Sequence, residues 1–517
     1  MLPADIRKNE LHNLVRSLES HEKAYYKKMA KRYADQNKSL HLRLFELLEN
    51  SAVNDEKLFM KKMGLKTASH FSGLKSHLWN DILSSIVYQR RNDPLVQLQF
   101  IMLETETLLA KNLIASAEKL LDMAWATAVK YELYGIQIKL LHLYYKILPY
   151  SDYKQFKKES ERLLQLQRTV FTKLPLEQQL QIMRRELIAF KQFTYLRSPE
   201  EQLVRIREID ADLDRLEVGE ESPLLCILYH FNKCAATHLT FRFDQCAGHA
   251  EKIIALWQAY PHHVGYNAAL FLGASDYCFY NAFALKDPVA AARYLDAYHE
   301  LASAHLDKEE RERWEIMEFH TLLKIYHKNA RYDKVAVLVT EKGNIILEKA
   351  NRVLPPVLSL SITCSMCISY FVLEDYDKAE DLLIDVNNIN RDIQREDLLY
   401  FTSIFYLLIL LEKKSFLQLN NAISANYFKL YNKKKLQPFE KDLMLFLKHL
   451  SNEYREKEQL KIIRDFIVKL EDYRNDPVKD LYFLYFNYYG WLESKVQKIK
   501  YTEYMYRQVN VRSNTLT

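Results

Sequence analysis

Apolar positions in the first 95 residues recur with a helical period. Leu11, Leu14, Val15, Leu18, Tyr25 and Met29 share one face at about 100° per residue, and Arg16, Lys23, Lys27 and Lys31 share the opposite one. That pattern predicts one amphipathic helix over the stretch. Shorter helices follow at FELLEN (45–50) and EKLFMKKM (56–63), with a longer one through HLWNDILSSIVYQRR. Further along, the rhythm changes. Residues 325–341, IYHKNARYDKVAVLVTE, and 369–385, SYFVLEDYDKAEDLLID, both write Tyr, five residues, then Tyr-Asp-Lys and an apolar residue. The offset is 44 residues, so Tyr326 aligns with Tyr370, Tyr332 with Tyr376 and Val335 with Ala379.

Weaker copies extend this period. Phe243-Asp244-Gln245-Cys246 and Pro288-Val289-Ala290-Ala291 each precede an apolar run, and fainter matches end at Ala117, Phe156, Leu203, Leu419 and Leu460, at intervals of about 39 to 47 residues. A repeat of that length holds two helices and a turn. The aromatic of the Tyr376 type is expected to fill the space between the two helices. A small residue three positions later lets the second helix approach.

Helix starts are marked by an N-capping oxygen before proline at Asp93-Pro94, Ser198-Pro199, Ser222-Pro223, Asp287-Pro288 and Asp476-Pro477, with Glu201 at capping-box spacing from Ser198. Together these signals divide the chain into a basic helical region (1–95), a helical repeat region (96–476) and closing helices with a tail (477–517).

The segment LEDYDKAEDLL resembles the turn and second helix of a tetratricopeptide repeat, and KNLIASAEKLLDMAWATAVKYE (111–132) resembles that family's helix pair in a longer bacterial form. The period exceeds the roughly 34 residues of the family. Glu374 and Ala330 stand where the first helix usually carries Gly, and the closing Pro is missing. The resemblance implies an all-α fold, a right-handed α-solenoid of stacked antiparallel hairpins behind an N-terminal helical region. It transfers no peptide-clamp residues to particular positions.

Composition agrees with a helical array: 517 residues contain only nine Gly and twelve Pro. The net charge of +6 is concentrated in residues 1–77, which hold 15 Lys and Arg against 9 Asp and Glu. Six widely spaced cysteines and a charged N-terminus predict a reducing, cytoplasmic location. Two apolar stretches, 398–411 and 353–373, read as buried helices rather than membrane spans; the second opens with Pro355-Pro356 and carries five Ser or Thr hydroxyls.

Candidate chemistry is sparse. Cys364 and Cys367 form a Cys-x-x-Cys pair inside an apolar helix, which predicts buried thiols filling core space. His262-His263 reads as an exposed turn. The Lys433, Lys434 and Lys435 run reads as a loop in water. The motifs of zinc proteases, phosphate loops and nucleophile elbows are missing from the sequence, so no cofactor and no catalytic set is expected. The first expectation is a non-catalytic scaffold that binds a protein or peptide. The second is a ligand-sensing regulator whose Arg16, Lys23, Lys27, Lys31, Lys61 and Lys62 contact nucleic-acid phosphates.

Overall fold

The structure is a computed structural model, and it describes residues 10–32, 36–51, 53–148, 152–193, 200–389, 396–432, 436–474, 483 and 485–515. Among these the chain is all-helical, with no strand. The expected features at Ser198-Pro199, Lys433 to Lys435 and Asp476-Pro477 lie outside the described residues. The chain divides into two compact units, Met1–Lys173 and Leu174–Thr517.

In the first unit, the basic stretch forms α1 (Glu10–Ser17) and α2 (Ser20–Arg32) instead of one continuous helix. The break has a local cause. The Glu19 amide donates to the Glu22 carboxylate at 2.8 Å, which caps α2 and starts it afresh. Next come α3 (Gln36–Glu49), α4 (Glu56–Met63) and α5 (Ala68–Gln89), around a core that includes Val15, Tyr26, Phe45, Phe59, Leu78 and Ile82. The span of α4 coincides with the stretch read from sequence. Asp55 caps its start, and Gly64, at φ 70°, turns the chain out of it. The unit continues with α6 (Pro94–Ala110), α7 (Ile114–Lys130) and α8 (Tyr134–Ile147), before α9 (Tyr153–Phe193), within which the boundary between units falls.

The second unit carries the clearest repeat. Its helices include α10 (Glu200–Leu213), α11 (Pro223–Leu239), α12 (Phe243–Ala259), the short α13 (His262–Tyr266), α14 (Ala268–Ala284), α15 (Pro288–His305), α16 (Lys308–Lys328), α17 (Tyr332–Val353), α18 (Pro356–Val372), α19 (Tyr376–Ile389), α20 (Glu396–Glu412) and α21 (Phe416–Asn432). The chain ends through α22 (Pro438–Asn452), α23 (Glu456–Arg474), α24 (Tyr488–Val496) and α25 (Tyr501–Thr515).

Five successive hairpins in this unit close through the same turn, and the α24–α25 hairpin repeats it at Lys498 (φ 55°). Phe241, Lys286, Ala330, Glu374 and Lys414 all take a left-handed conformation, with φ between 52° and 64°, and follow one another at 45, 44, 44 and 40 residues. In each, the next amide donates five residues back, as Arg331 does to Tyr326 at 2.8 Å and Asp375 to Tyr370 at 2.9 Å. This is the Schellman geometry that glycine usually serves. Ala330 and Glu374, singled out in the sequence because they replace that glycine, occupy the left-handed position itself. Asn112 and Glu132 form the same turn in the first unit.

The repeated letters now have physical roles. The Lys334 ammonium lies 5.4 Å from the Tyr326 ring centroid, and Lys378 lies 5.4 Å from that of Tyr370. Tyr332 meets His327 edge-on at 5.7 Å, Tyr376 meets Phe371 at 5.4 Å, and Phe243 meets His238 at 5.5 Å. Five residues beyond the five periodic left-handed turns the side chain is fully enclosed, at Cys246, Ala291, Val335, Ala379 and Leu419, as it is at Ala117 in the first unit, whereas Glu503, five beyond Lys498, is exposed. The turn positions before the fainter matches at Phe156 and Leu203 lie outside the described residues; Leu460 follows no such turn, and Phe156 is 39 % exposed.

Each first helix of a hairpin also touches the first helix of the next: α11 packs on α14, α14 on α16, α16 on α18 and α18 on α20. The two long apolar stretches supply α18 and α20, each of 17 residues and largely buried. Among the described residues no helix is long and apolar enough to cross a membrane. The C-terminal segment packs back over earlier turns: Tyr501 lies 6.1 Å from Tyr332, Lys500 pairs with Glu374 at 2.6 Å, and the Trp491 indole donates to Glu412 at 2.6 Å. Its ring-rich face is thereby covered.

Candidate functional site

Three successive first helices in the second unit carry a polar stripe beside the core. On α18 the stripe is Ser361, Ser365 and Ser369, spaced four apart, so the hydroxyls stand above one another. On α16 it is His320, Lys324 and His327, and on α14 it is Asp276 and Tyr280. The stripes interlock. His320 Nε2 lies 2.8 Å from Ser365 Oγ, His327 Nε2 lies 2.8 Å from Ser369 Oγ, and the Tyr280 hydroxyl is 3.4 Å from that of Ser361. His320, Lys324, His327, Asp276 and Tyr280 are each partly open to solvent.

Two ammonium groups flank the Tyr280 ring. Lys191, from the part of α9 in this unit, sits 5.1 Å from its centroid and 3.8 Å from that of Tyr277. Lys324 sits 3.8 Å from Tyr280 and 5.7 Å from Phe283. The two differ in compensation: Lys191 pairs with Asp276 at 2.5 Å, whereas no carboxylate among the described residues comes within ion-pair distance of Lys324.

The electrostatics follow. Burial works to raise the Tyr280 phenol, but Lys324, with smaller help from Ser361 and Lys191, outweighs it and leaves the phenol below its ordinary value. Burial, reinforced by Lys324, holds His320 well below the usual imidazole range, and burial with Lys328 brings His327 down to about 4. Both imidazoles are therefore neutral at pH 7. The Ser369 hydroxyl donates to the Ser365 carbonyl at 2.8 Å, so its oxygen accepts from His327 Nε2–H. Neither serine–histidine pair has a carboxylate orienting the far ring nitrogen among the described residues. The third element of a hydrolytic triad is thus missing from both.

The basic residues singled out in the N-terminal region are placed differently. Arg16 lies on α1, Lys23, Lys27 and Lys31 lie on α2, and Lys61 and Lys62 lie on α4; α1, α2 and α4 each pack on α3. Lys27 is engaged with Glu49 at 2.6 Å and stands 5.7 Å from the Phe45 ring centroid. Lys31, Lys61 and Lys62 are exposed, and Lys62 lines a pocket of about 380 Å³ with Arg43, Glu46, Asn50 and Phe59.

The remaining sequence candidates are core elements. Cys364 and Cys367 are buried in α18, and burial pushes the Cys367 thiol up. The exposed turn expected at His262-His263 is instead the start of α13, and His263 is 1 % exposed. α13 packs on both α14 and α15, and a Cβ at Gly265 would stand only 2.5 Å from the His305 carbonyl oxygen. Among the described residues no group of three or more His, Cys, Asp or Glu is placed to hold a metal ion.

The sequence reading passed over Tyr280, Lys324, His320 and Ser365. Two signals could have found them: the 320, 324, 327 spacing of His, Lys and His, and the four-residue ladder of serines inside an otherwise apolar helix. Comparison with known proteins adds no name: no family model matches the chain, and neither a curated protein nor a solved structure does.

Proposed function

We propose that this chain is a non-catalytic scaffold, and that the polar seam of α14, α16 and α18 receives an extended segment of a partner protein or peptide. The observation that carries this reading is the seam itself. Apart from the buried Ser369, hydroxyl, imidazole, phenol and ammonium groups from three consecutive first helices stay partly open to solvent beside a well-packed core. An array of short-range polar groups along one line suits recognition of a chain better than enclosure of a small substrate. On this reading the hairpins from α10 onward stack as a right-handed α-solenoid of tetratricopeptide type, with first helices lining its concave side. The sequential contacts between first helices support that arrangement. The six free cysteines fit a cytoplasmic setting.

A photo-reactive residue placed at Ser365 in cells should form a covalent adduct with the partner, and the same residue at the exposed Val337 of α17 should not. Equal labelling from both positions, or none from Ser365, removes this reading. The nucleic-acid reading has less support, because Lys27, at the centre of the α2 basic face, is already spent on Glu49. Glutamate substitutions at Lys23 and Lys31 test it through the salt dependence of nucleic-acid binding.

A further inference from the structure

We propose that the Lys324 end of the polar seam is a subsite for one anionic oxygen group, a carboxylate or a phosphate, carried by the docked segment. This inference rests on the reading of the seam as a partner-binding surface. It starts from a contrast between two lysines around one ring. Lys191 and Lys324 both lie within 5.1 Å of the Tyr280 centroid, but only Lys191 has a carboxylate partner, Asp276. With the phenol protonated and the imidazoles neutral, the cluster of Lys191, Asp276, Tyr280, Lys324 and His320 carries one uncompensated positive charge.

A lone lysine on an open surface needs no explanation, because water solvates it. Lys324 is only partly exposed and is walled by the Tyr280 and Phe283 rings at 3.8 and 5.7 Å. Ring faces recover part of the lost hydration, but they accept no hydrogen bond of ordinary strength from an ammonium group. An incoming anion would supply it.

The neighbours suit an oxygen anion in particular. The Tyr280, Ser361 and Ser365 hydroxyls come from α14 and α18 on either side of α16, so donors reach the region from three helices. The Tyr280–Ser361 contact, at 3.4 Å, is long for two hydroxyls, and either can turn toward a better acceptor. Lys324 beside the ring also draws the Tyr280 phenol below its ordinary value, as a net positive charge at these distances requires. The carboxylate on the same stripe as Tyr280, Asp276, is engaged by Lys191 at 2.5 Å.

The test uses the full chain with sodium acetate and inorganic phosphate as probes. Each is titrated at constant ionic strength against chloride, and binding is read by calorimetry and by the shift in melting temperature. The expected result is saturable binding of at least one probe, weakened about tenfold or more in K324M, retained in K324R, and unaffected by K414M on an exposed turn. The better-bound probe identifies carboxylate or phosphate. Equal binding by wild type and K324M, or no saturation with either probe, overturns the subsite. Should K324M fail to fold, Y280F takes its place, since it keeps the ring beneath the ammonium and removes one donor; weaker probe binding upholds the subsite and unchanged binding overturns it.

An array of synthetic peptides that includes neutral, acidic and phosphorylated sequences, probed with the full chain, separates this inference from the reading beneath it. Peptides that bind through His327 and Ser365 without any acidic or phosphorylated residue leave the seam standing and remove the subsite. Probe binding that depends on Lys324, with no arrayed peptide sensitive to seam substitutions, upholds the subsite and removes the peptide reading.

Discussion

The Tyr376 ring meets Phe371 edge-on across a left-handed turn, with centroids 5.4 Å apart and planes at 66°. The same relationship recurs between Tyr332 and His327 at 5.7 Å and 74°. In each case a ring two residues after the turn closes on a ring three residues before it. The hairpin is therefore locked by an aromatic contact placed beside its own hydrogen-bonded cap. Ala379, three residues further on and fully enclosed, sets how closely the second helix can approach.

This lock predicts an asymmetric pair of substitutions. Tyr376→Phe keeps the ring contact and should change stability by less than about 1 kcal/mol, whereas Tyr376→Ala should cost about 2–4 kcal/mol. Ala379→Leu should cost about 1–3 kcal/mol by overpacking. Thermal and urea melts of the full chain check all three. A Tyr376→Ala protein as stable as wild type would show that the ring contact is incidental.

Left-handed residues with side chains store strain that glycine would release. Lys414 is exposed, with φ 56°, so Lys414→Gly should raise stability by roughly 0.5–1 kcal/mol and Lys414→Val should lower it by roughly 1–2 kcal/mol. The opposite order in melting temperature would contradict the assigned turn.

A buried ionic group ties α10 to α11. Asp210, 6 % exposed, receives Lys233 at 2.5 Å and Arg242 at 2.6 Å, and Lys233 also reaches Asp214 at 2.7 Å. Asp210→Ala leaves Lys233 with Asp214 alone and takes this carboxylate from Arg242, and should cost about 2–4 kcal/mol. Lys233→Met leaves Asp210 paired with Arg242 and should cost less. Denaturation midpoints of the two variants decide the order.

Buried neutral histidines make stability fall in mild acid. Burial, with Lys191 nearby, holds His238 at about 3, and burial with Lys328 holds His327 at about 4. The unfolded chain takes up protons first as the pH drops through about 6.5. The stabilising effect of the neutral rings is thus complete above that pH and is lost progressively toward about 4. His327→Asn should flatten the decline between about pH 6.5 and 5, by no more than about 1 kcal/mol per unit given its partial exposure. An unchanged slope would show that His327 titrates normally.

The fold class was legible because helix signals are local. Asp93 and Asp287 cap α6 and α15 before their prolines, as read from sequence. The 44-residue offset corresponds to a turn whose left-handed residues are Ala330 and Glu374. The seam was not legible in this way, because Tyr280, Lys324 and Ser361 lie on three helices and meet only through packing. The same limit applies to His263, which is buried in a short helix that packs on α14 and α15. The break between α1 and α2 was not legible because the apolar pattern runs on from Leu18 to Tyr25 and Met29, whereas the fresh start of α2 buries Tyr26 and leaves Tyr25 half-buried.

The central claim, that the polar seam is the recognition surface, is tested most directly by hydrogen–deuterium exchange on the full chain with and without its cross-linked partner. Protection should appear in residues 268–284, 308–328 and 356–372, with Tyr280→Ala and His327→Ala reducing it. Protection confined to α15, α17 and α19, or to the basic face of α2, would contradict the account.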